Sequence, residues 1–199
     1  DGPTHQAVEQ VSSLRLVPDL DVWRPADTQE TAAAWKYSIL SNHRPVALAL
    51  SRQTLTEIPK TQTQKNNICK GGYIAYGNKK SPDAIIIATG SEVSLAIEAS
   101  KQLELKNLYI RVISMPCQEL FERQSSSYKN KCIPKNFENI MAVESGKGDT
   151  WYKYIGKSGS MITMESFGLS GTGNDVMNHF GFTVRNIKIQ IQKLIKKNR

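Results

Sequence analysis

Two short, unbroken apolar runs constrain this fold more than any other feature: residues 45–51 (PVALALS) and residues 83–88 (DAIIIA). A strand with one wet face alternates in polarity, whereas a run that is apolar throughout and too short for a helix reads as a strand buried on both faces. Helices on both faces of a parallel sheet provide that burial. The flanking segments carry the required helix signals. Residues 6–16 read as a short helix, with Val8, Val11 and Leu14 to Leu16 roughly on one side. Residues 21–24 read as a strand closed by Pro25. Asp27-Thr28-Gln29-Glu30 is a capping-box-like start, an acid at the N-cap with Glu three residues later, and opens a helix running to Leu40. Helix, strand, helix and strand in succession are the alternation of an α/β layered domain. Residues 1–62 hold about half of one, so the chain is expected to begin inside a domain.

Residues 53–70 change character. Thr, Gln, Lys and Asn dominate and Pro59 lies within, as in a linker or long crossing loop. Charge changes in the same place. Residues 1–62 carry six Lys/Arg and seven Asp/Glu, a net of −1, while residues 63–199 carry twenty and eleven, a net of +9. A domain boundary is therefore expected near residue 62, giving domains 1–62 and 63–199. In the second part, strands are predicted at 72–76, 83–88, 109–114, 139–144 and 160–164. Helices are predicted over 92–105, twice between 118 and 131, as a turn at 150–155, and from Asn174 and Val184. Five strands and at least five helices predict a three-layer α/β/α domain with a mostly parallel five-stranded sheet.

At 199 residues with 39% hydrophobic content the chain can bury a core. No stretch of 18 apolar residues suggests a membrane span, and no secretory signal opens the chain. Cys69, Cys117 and Cys132 are odd in number and form no CxxC, so free thiols in a reducing, cytoplasmic compartment are expected. The basic excess of 63–199 invites a nucleic-acid reading. Its lysines are scattered, however, and lack the interleaved aromatics of a stacking surface, so a solvated basic surface is the favoured reading.

Function-bearing residues concentrate at the start. Asp1-Gly2-Pro3-Thr4-His5-Gln6 compresses an acid and a histidine into one turn-prone loop, and the 45–51 run ends at Ser51-Arg52-Gln53. Ligands bind at the carboxyl ends of strands in open α/β sheets, where an arginine can hold a phosphate bidentately. Arg52 reads either so or as a surface partner of Glu57. Asp1 and His5 read either as substrate contacts or as a polar loop. Thr89-Gly90-Ser91-Glu92, between a strand and a helix, could be an anion-binding turn; an ordinary connection with Ser91 as N-cap is favoured, since further glycines are absent. His43 is expected to be exposed and His179 packed or at a domain contact. Trp151-Tyr152-Lys153-Tyr154 reads as core or interface, and residues 168–173 (GLSGTG) as a flexible loop.

DGPTHQ, Leu14-Arg15, Trp23-Arg24-Pro25-Ala26-Asp27 and Ala49-Leu50-Ser51-Arg52-Gln53 together resemble the transketolase family. The resemblance continues in order through Lys70-Gly71-Gly72-Tyr73, Ile87-Ala88-Thr89-Gly90-Ser91-Glu92, Val143-Glu144, Trp151-Tyr152-Lys153-Tyr154 and Phe180-Gly181-Phe182-Thr183. One departure is Ala7, where a proline often follows the Gln. The resemblance implies the C-terminal third of a thiamine-diphosphate enzyme that moves two-carbon ketol units between sugar phosphates. It implies that Arg52 clamps the phosphate, that Asp1 lies by the substrate hydroxyls and selects stereochemistry, and that His5 donates hydrogen bonds to substrate oxygens near the reacting carbons. Thiamine diphosphate and a divalent cation (Mg or Ca) would be held elsewhere in the complete enzyme, which the resemblance makes a homodimer; this chain alone is expected to bind neither and to be inactive. Other readings are a relative such as a dihydroxyacetone synthase, or a non-catalytic assembly module.

Overall fold

The computed structural model describes residues 2–198. In chain order the elements are α1 (Gln10–Leu14), β1 (Asp21–Trp23), α2 (Thr28–Leu40), β2 (Val46–Leu48), α3 (Gln62–Ile68), β3 (Tyr73–Tyr76), β4 (Ala84–Ala88), α4 (Glu92–Glu104), β5 (Ile110–Ser114), α5 (Gln118–Glu122), α6 (Ser126–Cys132), β6 (Ile140–Val143), α7 (Tyr152–Ile155), β7 (Ser160–Ile162), α8 (Gly173–His179) and α9 (Val184–Lys197). Five strands form one sheet in the order β3-β5-β4-β6-β7; β3 runs antiparallel to β5 and the other pairings are parallel. The expected mostly parallel five-stranded sheet is present.

The DAIIIA run shows why that sheet is central. Every residue of β4 is buried. Ile86 points with Ala84 and Ala88 into a core built with Val93, Ala96 and Leu103 of α4 and Ile187, Ile191 and Leu194 of α9. Ile85 and Ile87 point the other way, towards Phe121, Cys132, Trp151 and Ile155. Alternate side chains of one strand thus enter two cores, which only helix layers on both faces can close. The first core also takes in Trp23, Ala26, Ala34, Ile58 and Ile68, so residues 1–62 share apolar packing with the larger sheet.

Four expectations need correction. The helix predicted over 6–16 is reduced to a 3-10 turn at Pro3–His5 and to α1. The carbonyls of Gln6 and Val8 accept from the amides of Gly168 (2.8 Å) and Lys147 (2.9 Å), so the backbone there bonds outward rather than along a helix. The 45–51 run gives a parallel strand, with Val46 opposite Asp21, but β2 is short and only half-buried. It has one neighbouring strand, and Leu50 beyond it is 50% exposed. The predicted loop over 53–70 contains α3. Thr61 and Gln64 make a reciprocal capping box, and Ile68 anchors the helix in the core. Its Thr/Gln/Asn composition hid a helix held by its cap and one apolar anchor rather than by an apolar stripe. Finally, His179 is exposed, its ring meeting only Phe180 edge-on at 4.9 Å. His43 is exposed as expected, and all three cysteines are free, Cys69 exposed and the other two buried. No helix among the described residues is long and apolar enough to cross a membrane.

Losing a Thr N-cap costs about 1 kcal/mol. Thr61→Ala should therefore lower the unfolding free energy by about that amount in urea titration, while Gln62→Ala on the exposed face should change it by less than about 0.5 kcal/mol.

Candidate functional site

Strands β4, β5 and β6 run in parallel, so their carboxyl ends lie on one edge. In an open α/β sheet this edge is the usual place for a ligand. Here residues 15–30 occupy it. The backbone of Arg24 donates to Pro116 O beyond β5 (2.7 Å) and accepts from Gly90 N beyond β4 (3.1 Å). Its guanidinium donates to Thr89 O (2.7 Å), to Ser145 Oγ (2.9 Å) and to the Glu92 carboxylate. Thr89-Gly90-Ser91-Glu92 is therefore the ordinary strand-to-helix connection expected, with Ser91 at the N-cap position of α4. Ser91 makes no side-chain cap bond, and its hydroxyl donates to Glu92 Oε1 (2.5 Å). Gly90 has φ +58°, and a Cβ there would sit 2.7 Å from the Arg24 guanidinium carbon, so glycine is needed on both counts.

A second pair lies beside the first. Arg15 Nη1 donates to Glu144 Oε2 (2.7 Å) and Nη2 to Oε1 (2.9 Å), with Trp151 Nε1 donating to Oε2 (2.6 Å). Both side chains are at most 2% exposed, and the Arg24 guanidinium lies 4.0 Å from the same carboxylate. Burial alone would raise the Glu144 pKa; Arg15, Arg24 and Trp151 outweigh it and hold the carboxyl below its ordinary range. For Arg24 burial works against the charge, but Glu92 and Glu144 prevail and its pKa is raised.

The remaining junction is equally polar. Asp21 is buried and accepts bidentately from Arg123 (2.8 and 2.7 Å), from Tyr37 (2.6 Å) and from Arg44 (3.3 Å). Asp27 caps α2 by accepting from Glu30 N (2.9 Å) and pairs with Lys60. Glu30 does not complete an ordinary capping box. One oxygen accepts from Ala26 N (2.7 Å), and the other takes the hydroxyls of Tyr73 (2.7 Å) and Ser114 (2.6 Å) across the junction. Burial raises the Glu30 pKa despite those bonds.

The predicted substrate residues lie at the margin of this junction. Because β1 and β2 are parallel, Pro25 and Ser51 both follow carboxyl ends. With Asp27, Thr28, Thr31, Leu50, Thr54 and Leu55 they line a cleft of about 310 Å³. Arg52 continues from its wall. It is exposed, and among the described residues it has no hydrogen-bond or ion-pair partner; Glu57, the expected alternative, accepts instead from Thr28 N (3.2 Å). His5 is exposed, its Nδ1 3.1 Å from Thr4 Oγ1. No hydrogen bond joins His5 to Arg52 among the described residues, and Asp1 lies outside them. Arg15, Arg24, Glu92 and Glu144 carried no predicted role. For Arg24 and Glu144 a signal was present in Trp23-Arg24 and Val143-Glu144, where a charge directly follows a buried apolar residue.

Breaking a buried pair from one side costs about 3–5 kcal/mol, so Glu144→Gln should lose about that much at neutral pH. A carboxyl with a depressed folded-state pKa stabilises fully above its unfolded value of about 4.3, and this is lost as pH falls through the folded value. The gap between wild type and Glu144→Gln in urea titration should therefore narrow below about pH 4; a gap independent of pH would refute the charged pairing.

Residues 1–57 match the family model of the transketolase pyrimidine-binding domain, and residues 71–183 that of the transketolase-like C-terminal domain. The transketolase of Buchnera aphidicola (subsp. Acyrthosiphon pisum, strain APS) is 48% identical over 187 residues, covering 94% of this chain and 28% of that protein. Transketolase 1 of Escherichia coli K12 is 43% identical over 195 residues, covering 98% and 29%. Among solved structures, the transketolase of Pichia stipitis in complex with sedoheptulose-7-phosphate superposes with a TM-score of 0.90 at 38% identity, over 98% of this chain and 28% of that one. The chain thus spans a little over a quarter of the length of these relatives. On the two domain matches and the shared fold, the chain belongs to the transketolase family.

Proposed function

We propose that this chain works as part of a transketolase, transferring two-carbon ketol units between sugar phosphates, and that it supplies the substrate-binding residues Asp1, His5 and Arg52. The observation that carries the reading is Arg52: a cation without a partner among the described residues, just past the carboxyl end of β2 beside a cleft of mixed polar and apolar lining. The Pichia stipitis relatives bind sedoheptulose-7-phosphate and xylulose-5-phosphate, whose phosphate suits a guanidinium fork. His5, exposed in the loop at residues 2–6, donates to substrate oxygens, and Asp1 reads the configuration of the hydroxyls. We divide the chain near residue 62 into the end of the pyrimidine-binding domain and the C-terminal domain.

Thiamine diphosphate supplies the carbanion chemistry of this family. We infer that the residues of this chain do not hold its cation. Among the described residues no group of three His, Cys, Asp or Glu is placed for a metal. The buried carboxylates are committed: Asp21 to Arg123, Asp27 to Lys60, Glu92 to Arg24 and Glu144 to Arg15 by ion pairs, and Glu30 to Tyr73, Ser114 and the Ala26 amide by hydrogen bonds. We assign the cofactor and a magnesium or calcium ion to the remainder of a cytoplasmic, homodimeric enzyme that binds neither membrane nor nucleic acid.

Two measurements test this. The 199-residue chain alone should show no ketol transfer and no thiamine-diphosphate binding by calorimetry; turnover by it would overturn the assignment. In the full-length enzyme, Arg52→Ala should cost about 2–4 kcal/mol of transition-state binding with sugar phosphates, from two charge-assisted hydrogen bonds, and should spare unphosphorylated substrates. Equal losses on both classes would favour the reading as an assembly module or a different thiamine-dependent activity.

A further inference from the structure

The loop that carries His5 closes one local 3-10 turn, His5 N donating to Gly2 O (3.0 Å) and Gln6 N to Pro3 O (3.1 Å), and is tied to the rest of the molecule through the residues that follow it. Between Gln6 and Arg15 the chain makes one short helix, and its other fixed points lie on the far side of the junction. Gln6 O accepts from Gly168 N (2.8 Å), Val8 O from Lys147 N (2.9 Å), and Ser12 Oγ, itself buried, donates to Lys147 O (2.6 Å). At the end of the segment Arg15 grips Glu144 through two bonds and adds a third to Thr150 Oγ1 (3.3 Å). All these partners belong to residues 144–168, and Glu144 is the one that is both charged and rigidly mounted. It follows β6 directly, its amide donates to Ile162 O (3.1 Å), and Trp151 fixes its carboxylate from behind. The turn after it is fixed in the same way: Ser145 gives its amide (3.1 Å) and hydroxyl (3.1 Å) to Glu92, and Gly146 N returns to Glu144 O (2.9 Å).

We propose that Glu144 is a positioning residue for His5: its carboxylate locks Arg15, and with the 144–147 turn it fixes the backbone of residues 6–15, from which the His5 loop hangs. The C-terminal domain thereby sets the placement of a group that acts on substrate, although Glu144 itself touches none. The proposal rests on the reading of His5 as a substrate contact.

Hydrogen exchange on the 199-residue chain tests the mechanical half. Glu144→Gln should speed exchange at the amides of Lys147, Gly168 and residues 13–15 by about tenfold or more. Ser12→Ala removes only a neutral tether and should give the same pattern at smaller size, which keeps the test open if Glu144→Gln fails to fold. Unchanged exchange in the folded variants would overturn the proposal. The functional half uses a full-length enzyme in which this chain replaces the matching part of Escherichia coli transketolase 1. There Glu144→Gln should lower kcat about tenfold with His5 present and less than about twofold in a His5→Ala background, because the two changes act through one group. Equal losses in both backgrounds would mark Glu144 as generally structural and overturn the proposal. A His5→Ala enzyme with unchanged kinetics would instead refute the substrate role of His5, whatever the exchange data show.

Discussion

Two buried ion pairs, Arg15 with Glu144 and Arg24 with Glu92, determine how this molecule is assembled. Both arginines come from the first 62 residues and both glutamates from the carboxyl edge of the five-stranded sheet. A buried pair of this kind is weak as a source of net stability, because desolvation offsets much of the attraction. It is strong as a constraint, because a misregistered junction would leave charges buried and unpaired. Apolar contacts among Trp23, Ala26, Ile58 and Ile68 supply attraction without direction; the pairs, with Asp21–Arg123 and the Glu30 bonds to Tyr73 and Ser114, supply direction.

That arrangement also decides where a ligand can bind. The carboxyl edge of the larger sheet would be its natural ligand site, but Arg24 fills the Gly90 turn and Arg15 fills the space beyond β6. The carboxyl ends that stay open are those of the neighbouring two-stranded pair, beside Arg52, where the proposed substrate contact lies. Arg52, exposed and without a partner among the described residues, and Arg24, buried and doubly paired, are the same residue type in opposite surroundings.

The sequence was most legible where local pattern and burial agree. DAIIIA and the 109–114 run announced two central strands because every position is apolar or tucked under a helix, and Asp27 announced the start of α2 because its cap is local. Legibility failed where the deciding partner is distant. Residues 6–9 look helical, yet the carbonyls of Gln6 and Val8 answer to the amides of Gly168 and Lys147, about 160 and 140 residues away. The 45–51 run looks like an interior strand, yet β2 has a single neighbour. Arg15 and Glu144 are 129 residues apart in sequence, and nothing in either neighbourhood names the other. Arg52, by contrast, was readable as a candidate because its motif ends an apolar strand, a purely local fact.

The surface of residues 1–62 completes the physical picture. Trp35, Ile39 and Leu40 on α2, and Leu50 beyond β2, are between half and three-quarters exposed. Scattered exposed apolar residues are ordinary, but large ones concentrated on one helix and the adjoining strand end of a two-stranded sheet are not. Parallel strands are stable when both faces and both edges are covered, and β1–β2 has that cover on the side of the ion pairs alone. The Arg52 cleft lies between the rigid side and the uncovered one. Its inner wall, with Asp27 held by Glu30 N and Lys60, is fixed by this chain. The shape of its outer wall, and with it the fit of any sugar phosphate against Arg52, depends on what lies over Leu50 and α2. The proposed role of Arg52 puts it on a fixed wall facing a variable one, which suits an enzyme in which this chain supplies orientation and another part of the protein closes the site.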